Sequence, residues 1–117
     1  MKLYYSPLSV YSAKPRIAMY EKAIAHETRL VNWTPATGWI KPDELPRLNP
    51  KAQIPVIVDV ETAIYDSTII LEYLEERFPK PPLFPAGFAE RDDAGYSRIS
   101  GTRCWRPTWA CWCARCF

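Results

Sequence analysis

Two sets of residues in this chain have the types and spacing to do chemistry. One is a crowd of thiols near the end, Cys104, Cys111, Cys113 and Cys116, interleaved with Trp105, Trp109 and Trp112. Thiolates ligate zinc or pair as disulfides. The other set is spread through the body: Ser9 and Ser12 around Val10-Tyr11, then Gln53-Ile54-Pro55, then Asp66-Ser67. A hydroxyl beside a helix N-terminus sits where backbone N–H groups and the helix dipole favour negative charge. Such a place can hold a thiolate that another molecule supplies. A cis Ile54–Pro55 bond would leave the Ile54 N–H and C=O free to pair with an extended peptide. Asp66 and Ser67 open a helix that can accept a carboxylate, and the Asp66 side chain can accept from an ammonium group. Each stretch also has a plain reading: Ser9 and Ser12 as loop residues and caps, Pro55 as a trans proline at a strand start, Asp66-Ser67 as a cap alone.

These residues need elements to position them. Lys2–Tyr5 reads as a first strand and "SPLSVYS" as a turn-rich loop. The stretch 12–24 suits a helix with Ile17, Tyr20 and Ile24 on one face. "ETRLVNW" (27–33) reads as a second strand, and "TPATGWIKPDELPRLNP" as a proline-rich loop with room for a short helix over 42–48. "IPVIVDV" (54–60) and "AIYD" (63–66) read as a hairpin. The last helix is predicted over Ser67–Phe78, with Ile69, Ile70, Tyr73, Leu74 and Phe78 as its apolar stripe and Pro79 as its stop. "PKPPLFPAG" follows as a stiff linker. The order is β-α-β-(α)-β-β-α. The first two strands are expected to be parallel by the right-handed crossover rule. The result is an α/β, thioredoxin-like fold with a mixed four-stranded sheet and helices on both faces. In that fold the reactive group sits where the first strand runs into the first helix. Serine at both Ser9 and Ser12 excludes disulfide exchange by the chain's own side chains at that point.

Composition narrows the function class. The chain has 117 residues and 48% apolar content, enough for one packed core. Residues 1–87 hold ten Lys/Arg and ten Asp/Glu, while 88–117 hold five Arg and three acids, so the net +2 comes wholly from the tail. The body therefore carries no electrostatic footprint for nucleic acid. No run of about 18 apolar residues suggests a membrane span. "MKLYYSPLS" does not read as a signal peptide, so a cytoplasmic location is expected.

Three quoted stretches, "LYYSPLSVYSAKPRIAMYEKA", "NPKAQIPVI" and "YDSTIILEYLEERFP", resemble the N-terminal domain of the soluble glutathione transferases over about residues 1–85. The resemblance implies roles. Ser9, five residues before Lys14, stands where serine-type members hydrogen-bond the glutathione sulfur. Ser12 is the runner-up. The family usually has "RVR" where this chain has Lys14-Pro15-Arg16, and proline is comfortable only in a helix's first turn. A cap at Ser12 would place Pro15 there. Ile54, before Pro55, would pair with the cysteinyl unit. Asp66 and Ser67 would hold the γ-glutamyl end. Gln53 and Lys41 would face the glycyl carboxylate. A tyrosine near Tyr4 and Tyr5 serves the sulfur in other classes and ranks below Ser9.

The implied function is to bind glutathione as substrate, with no metal, and to activate its thiolate for attack on an unknown electrophile or for isomerisation. This is cytoplasmic transferase and detoxification chemistry. Full-length relatives are homodimers. The alternative is a non-catalytic thioredoxin-like interaction module, a role some family members have in transcription or stress binding.

The expected organisation is a glutathione-binding domain over 1–80 and a linker with an irregular tail over 81–117, in place of the family's helical second domain. The tail spacing C-x6-C-x-C-x2-C lacks the paired C-x2-C motifs of a zinc module, and the one histidine is His26. Codons can be chosen for "AGYSRISGTRCWRPTW" that yield "GLLEDLGDTLLEADL" when read two bases on. That string has leucines at helical spacing. It motivates the expectation that a frameshift near residues 90–94 replaced the second domain and left the chain weakly active or inactive.

Overall fold

Two consecutive buried residues in a strand mean that both its faces are covered. Leu3 and Tyr4 in β1 (Lys2–Tyr5), and Val56 and Ile57 in β5 (Val56–Asp59), are such pairs. In the computed structural model, which describes residues 1–85 and 87, these are the two central strands. The sheet order is β2-β1-β5-β6, with β2 at Glu27–Leu30 and β6 at Thr62–Tyr65 on the edges. β1 runs parallel to β2 and antiparallel to β5, and β5 is antiparallel to β6, so the sheet is mixed and four-stranded as expected. The fold is α/β and thioredoxin-like.

Helices α1 (Val10–Glu21) and α3 (Ser67–Arg77) pack on each other, and α2 is a single turn at Leu45–Leu48. Tyr4 and Val56 form one cluster with Leu45 of α2. Leu3 and Ile57, one residue out of phase, point to the opposite face by strand alternation. The chain divides into two compact units, Met1–Pro81 and Pro82–Phe117, and every helix and strand named here lies in the first. The tail cysteines and tryptophans, the zinc and disulfide readings and the frameshift region lie outside the described residues.

Several local expectations are corrected. The first helix starts at Val10 and its cap is Ser9, not Ser12. Ser9 Oγ accepts from the Ser12 N–H at 3.3 Å, and the Ser9 carbonyl accepts from the Ser12 and Ala13 N–H groups at 3.0 and 3.2 Å. Ser12 is fully buried instead, with its Oγ accepting from the Ser6 N–H at 3.5 Å. Pro15 therefore lies inside the helix, which leaves the Tyr11 carbonyl without its i+4 donor. Pro15 is fully buried, and that burial offsets part of the loss.

The buried face of α1 is Ser12, Pro15, Ala18 and Met19, whereas Ile17 and Tyr20 are exposed. The buried face combines two small residues, Ser12 and Ala18, with Pro15 and Met19, and it is not the face that the apolar periodicity marked. On α3, Leu71 is buried with Ile70 and Leu74, and Ile69 is half exposed.

The predicted strand over 27–33 breaks at Val31. Its N–H still reaches the Tyr5 carbonyl at 2.8 Å, but the chain then leaves the sheet. Residues Asn32–Thr34 (β3) pair with Gly38–Ile40 (β4) in a separate hairpin, which takes the end of the predicted strand together with part of the stretch expected to be loop. Trp33 lies opposite Trp39, the Thr34 and Thr37 hydroxyls meet at 2.5 Å, and Gly38 takes φ +67°, which favours glycine. β5 begins at Val56, so Ile54 and Pro55 precede the strand.

Candidate functional site

One cavity of about 560 Å³ gathers residues that are far apart in sequence. Ser9 lines it from the loop between β1 and α1, Asp66 and Ser67 from the start of α3, and Gln53, Ile54 and Pro55 from the approach to β5. Lys41 contributes from just beyond β4. The volume is within the range of small-molecule sites, roughly 300–1,000 Å³. Of the residues singled out in the sequence, Ser12 does not line it.

Each wall is held by identifiable bonds. The Ser9 backbone N–H donates to the Ser6 carbonyl at 3.2 Å, which ties the loop that delivers its hydroxyl. That hydroxyl oxygen accepts from the helix, so its own proton is the part left to donate outward. Asp66 has φ 73° and ψ 125°, a conformation rare for a residue with a side chain. Its Oδ1 accepts from the Thr68 N–H at 2.8 Å, and its carbonyl accepts from the Ile70 N–H at 2.9 Å. Strained backbone of this kind clusters at ligand sites and persists where surrounding structure over-determines it. The Ile54–Pro55 peptide bond is cis.

Among the lining residues that sequence reasoning missed are Asn49 and Lys51. Asn49, 3% exposed, organises the loop in front of β5: its Nδ2 donates to the Gln53 carbonyl at 2.8 Å, and its Oδ1 accepts from the Lys51 N–H at 3.0 Å. Its carbonyl accepts from the Ala52 N–H at 2.7 Å. The Asn49-Pro50 pair is a turn signal that could have marked this role. Lys51 also lines the cavity, so its lining carries two cations, Lys41 and Lys51, and one anion, Asp66. Trp39 also lines the cavity, while Trp33 does not.

The tyrosines ranked below Ser9 are engaged elsewhere. Tyr4 is buried and donates to Glu44 Oε1 at 2.6 Å; burial, reinforced by that bond and by the carboxylate's charge, pushes its phenol up to about 12. The Arg16 guanidinium lies 4.8 Å from the Tyr5 ring centroid. His26 Nδ1 is 2.8 Å from the Ile24 carbonyl, a local contact outside the cavity. Among the described residues no group of three or more His, Cys, Asp or Glu could hold a metal ion. No helix among them is long and apolar enough to cross a membrane.

The model of the glutathione S-transferase N-terminal domain matches residues 3–82. This chain belongs to the glutathione S-transferase family. A stringent starvation protein A homolog of Coxiella burnetii is 39% identical over 85 residues, covering 73% of this chain and 38% of that protein. A probable maleylacetoacetate isomerase of Vibrio cholerae is 41% identical over 76 residues, covering 65% of this chain and 35% of that one. Among solved members, a zeta-class bacterial maleyl pyruvate isomerase superposes with a TM-score of 0.75 at 30% identity, over 87% of this chain and 48% of its own. A glutathione S-transferase of Methylobacterium radiotolerans, solved in complex with glutathione sulfonate, gives 0.71 at 31%, over 84% and 44%. The chain thus spans half or less of the length of these glutathione S-transferase relatives.

Proposed function

We propose that residues 1–80 form a glutathione-binding domain and that the cavity holds the tripeptide with its sulfur beside Ser9. The observation that carries this reading is the convergence of Ser9, Ile54 and Asp66-Ser67 on one cavity. Asp66 and Ser67 suit the γ-glutamyl end, the Ile54 backbone suits the cysteinyl unit, and Gln53 with Lys41 suits the glycyl carboxylate. Lys51 adds a second cation near that loop. The relatives solved with glutathione sulfonate and with glutathione bound support the ligand class.

The chemistry is thiolate stabilisation. A thiol near 8.5 is mostly protonated at neutral pH, and bringing it to about 6.5 takes about 2.7 kcal/mol. A hydroxyl donating to a charged acceptor contributes about 1.5–3 kcal/mol, and a helix N-terminus about 0.3–2 kcal/mol. The Ser9 hydroxyl and the opening turn of α1 together meet that requirement. The thiol proton leaves to solvent and the sulfur then attacks an electrophile. Homodimerisation, as in full-length relatives, and a detoxification role belong to the same proposal. The cytoplasm is the proposed compartment, because it keeps the thiol reduced.

The test is the ionisation of bound glutathione, followed by thiolate absorbance near 240 nm. With Ser9→Ala the bound thiol should titrate close to its free value and any conjugation should slow about 10- to 100-fold. An unchanged titration would remove Ser9 from the sulfur.

A second reading keeps the fold and drops the catalysis. Five of the relatives are stringent starvation protein A homologs, 31–44% identical, and their shared name describes no enzyme. This favours a non-catalytic interaction module as the alternative. NMR spectra unmoved by millimolar glutathione would decide for it.

A further inference from the structure

We infer that Ser12 is a positioning residue for the thiolate chemistry: from inside the fold it holds the loop that presents the Ser9 hydroxyl. This rests on the glutathione reading and adds to it a residue outside the cavity. Three serines at three-residue spacing, Ser6, Ser9 and Ser12, close a ring of hydrogen bonds. The Ser12 Oγ accepts from the Ser6 N–H at 3.5 Å. The Ser6 carbonyl accepts from the Ser9 N–H at 3.2 Å. The Ser9 Oγ and the Ser9 carbonyl both accept from the Ser12 N–H, at 3.3 and 3.0 Å. The Ser6 Oγ also accepts from the Leu8 N–H at 3.4 Å, so Ser6 is tied at its N–H, its carbonyl and its hydroxyl. Ser12 thus grips Ser9 from two sides: directly through its own N–H, and through Ser6 by its hydroxyl.

Burial separates the roles within the ring. Ser6 and Ser12 are 2% and 0% exposed, while Ser9 is half-buried and lines the cavity. Burying a hydroxyl on the inner face of a helix is costly unless it is bonded. Ala18 shows that this face accepts alanine, so packing alone does not call for serine at position 12. What the Ser12 hydroxyl adds is an acceptor for a buried backbone N–H at the base of the loop. A donor stabilises developing charge only where it is held in place, and a small displacement forfeits much of its effect. The ring holds the Ser9 hydroxyl in place through residues that do not line the cavity.

A double-mutant cycle in the 117-residue chain tests this with two probes. S-methylglutathione has no ionisable sulfur, so its affinity by calorimetry reports the binding site alone. Bound glutathione reports the sulfur through its thiolate absorbance. Ser12→Ala keeps the Ser12 N–H and removes only the hydroxyl. It should bind S-methylglutathione within about twofold of the parent, while the bound glutathione thiol titrates about 0.5–1 pH unit closer to its free value, the worth of one weakened hydrogen bond. In the Ser9→Ala background the same substitution should add no further shift, because Ser12 acts through Ser9. An unchanged titration in Ser12→Ala overturns the proposal, and so does a full shift in the Ser9→Ala background. A Ser12→Ala chain that no longer binds S-methylglutathione overturns it too, since Ser12 is then a general support of the fold. If the parent itself does not bind S-methylglutathione, the glutathione reading fails and takes this inference with it.

Discussion

Asp66 combines three constraints in one residue. It caps α3, holds φ 73°, and lines the cavity. Asparagine keeps an oxygen for the Thr68 N–H and tolerates positive φ, so Asp66→Asn isolates the charge. On the glutathione reading it removes a charge-assisted bond to the ligand's ammonium group. The dissociation constant should rise about tenfold, with a melting temperature within a few degrees of the parent. Titration calorimetry beside a thermal melt checks both, and an unchanged affinity would take the γ-glutamyl end away from Asp66. The Asp66-Ser67 cap was legible because its chemistry is local. The positive φ was not, since it follows from the join between β6 and α3.

At the scale of elements, one buried cation fastens two helices. Lys22, the C-cap of α1, has its ammonium 2.8 Å from Glu75 Oε2 on α3. It also donates to the Phe78 carbonyl and, at 2.7 Å, to the Pro81 carbonyl. Its side chain is fully buried, and these partners satisfy it. Lys22→Met removes the donor and leaves the carbonyls beneath it unpaired. A loss of about 3 kcal/mol is expected in denaturant unfolding. A loss below about 1 kcal/mol would mean that water replaces the lysine freely.

The β3–β4 hairpin gives the contrasting case. A Cβ added at Gly38 would meet nothing within 4 Å, so Gly38→Ala costs only the strain of φ +67°. About 1 kcal/mol is expected, read as a shift in the unfolding midpoint with an unchanged slope. The hairpin escaped sequence reasoning because its signal, Trp33 opposite Trp39 across a Thr-Gly turn, is split between the end of the predicted strand and a proline-rich stretch.

Over the whole described molecule, the sheet brings residues from Ser9 to Ser67 into one cavity, and its core sets how stability responds to alkali. Tyr4, at the centre of the sheet, titrates at about 12 when folded and near 10 when unfolded. A group raised in the folded state contributes stability that is complete below its unfolded value and lost as pH rises through the folded one. Folding stability should therefore decline between about pH 10 and pH 12. Tyr4→Phe should flatten that part of the profile and cost about 1 kcal/mol at neutral pH by leaving Glu44 without its donor. Denaturant midpoints across that range measure it, and an identical slope in both proteins would remove Tyr4 as the cause.

The sequence by itself determined the order of the four sheet strands and the helices between them, the family, and the chemistry on offer: a hydroxyl, a cis-capable Ile54-Pro55 pair and an acidic cap. Those properties reside in neighbouring residues, in strand alternation, in caps and in turn formers, so they need no distant partner to be read. Only the tertiary structure decided which serine caps α1, which face of that helix is buried, and that Val31 ends one strand pairing so that Asn32 can begin another. Local periodicity marked the Ile17, Tyr20 and Ile24 face of α1. The fold buries Ser12, Pro15, Ala18 and Met19 instead, which turned Ser12 inward and left Ser9 at the cavity.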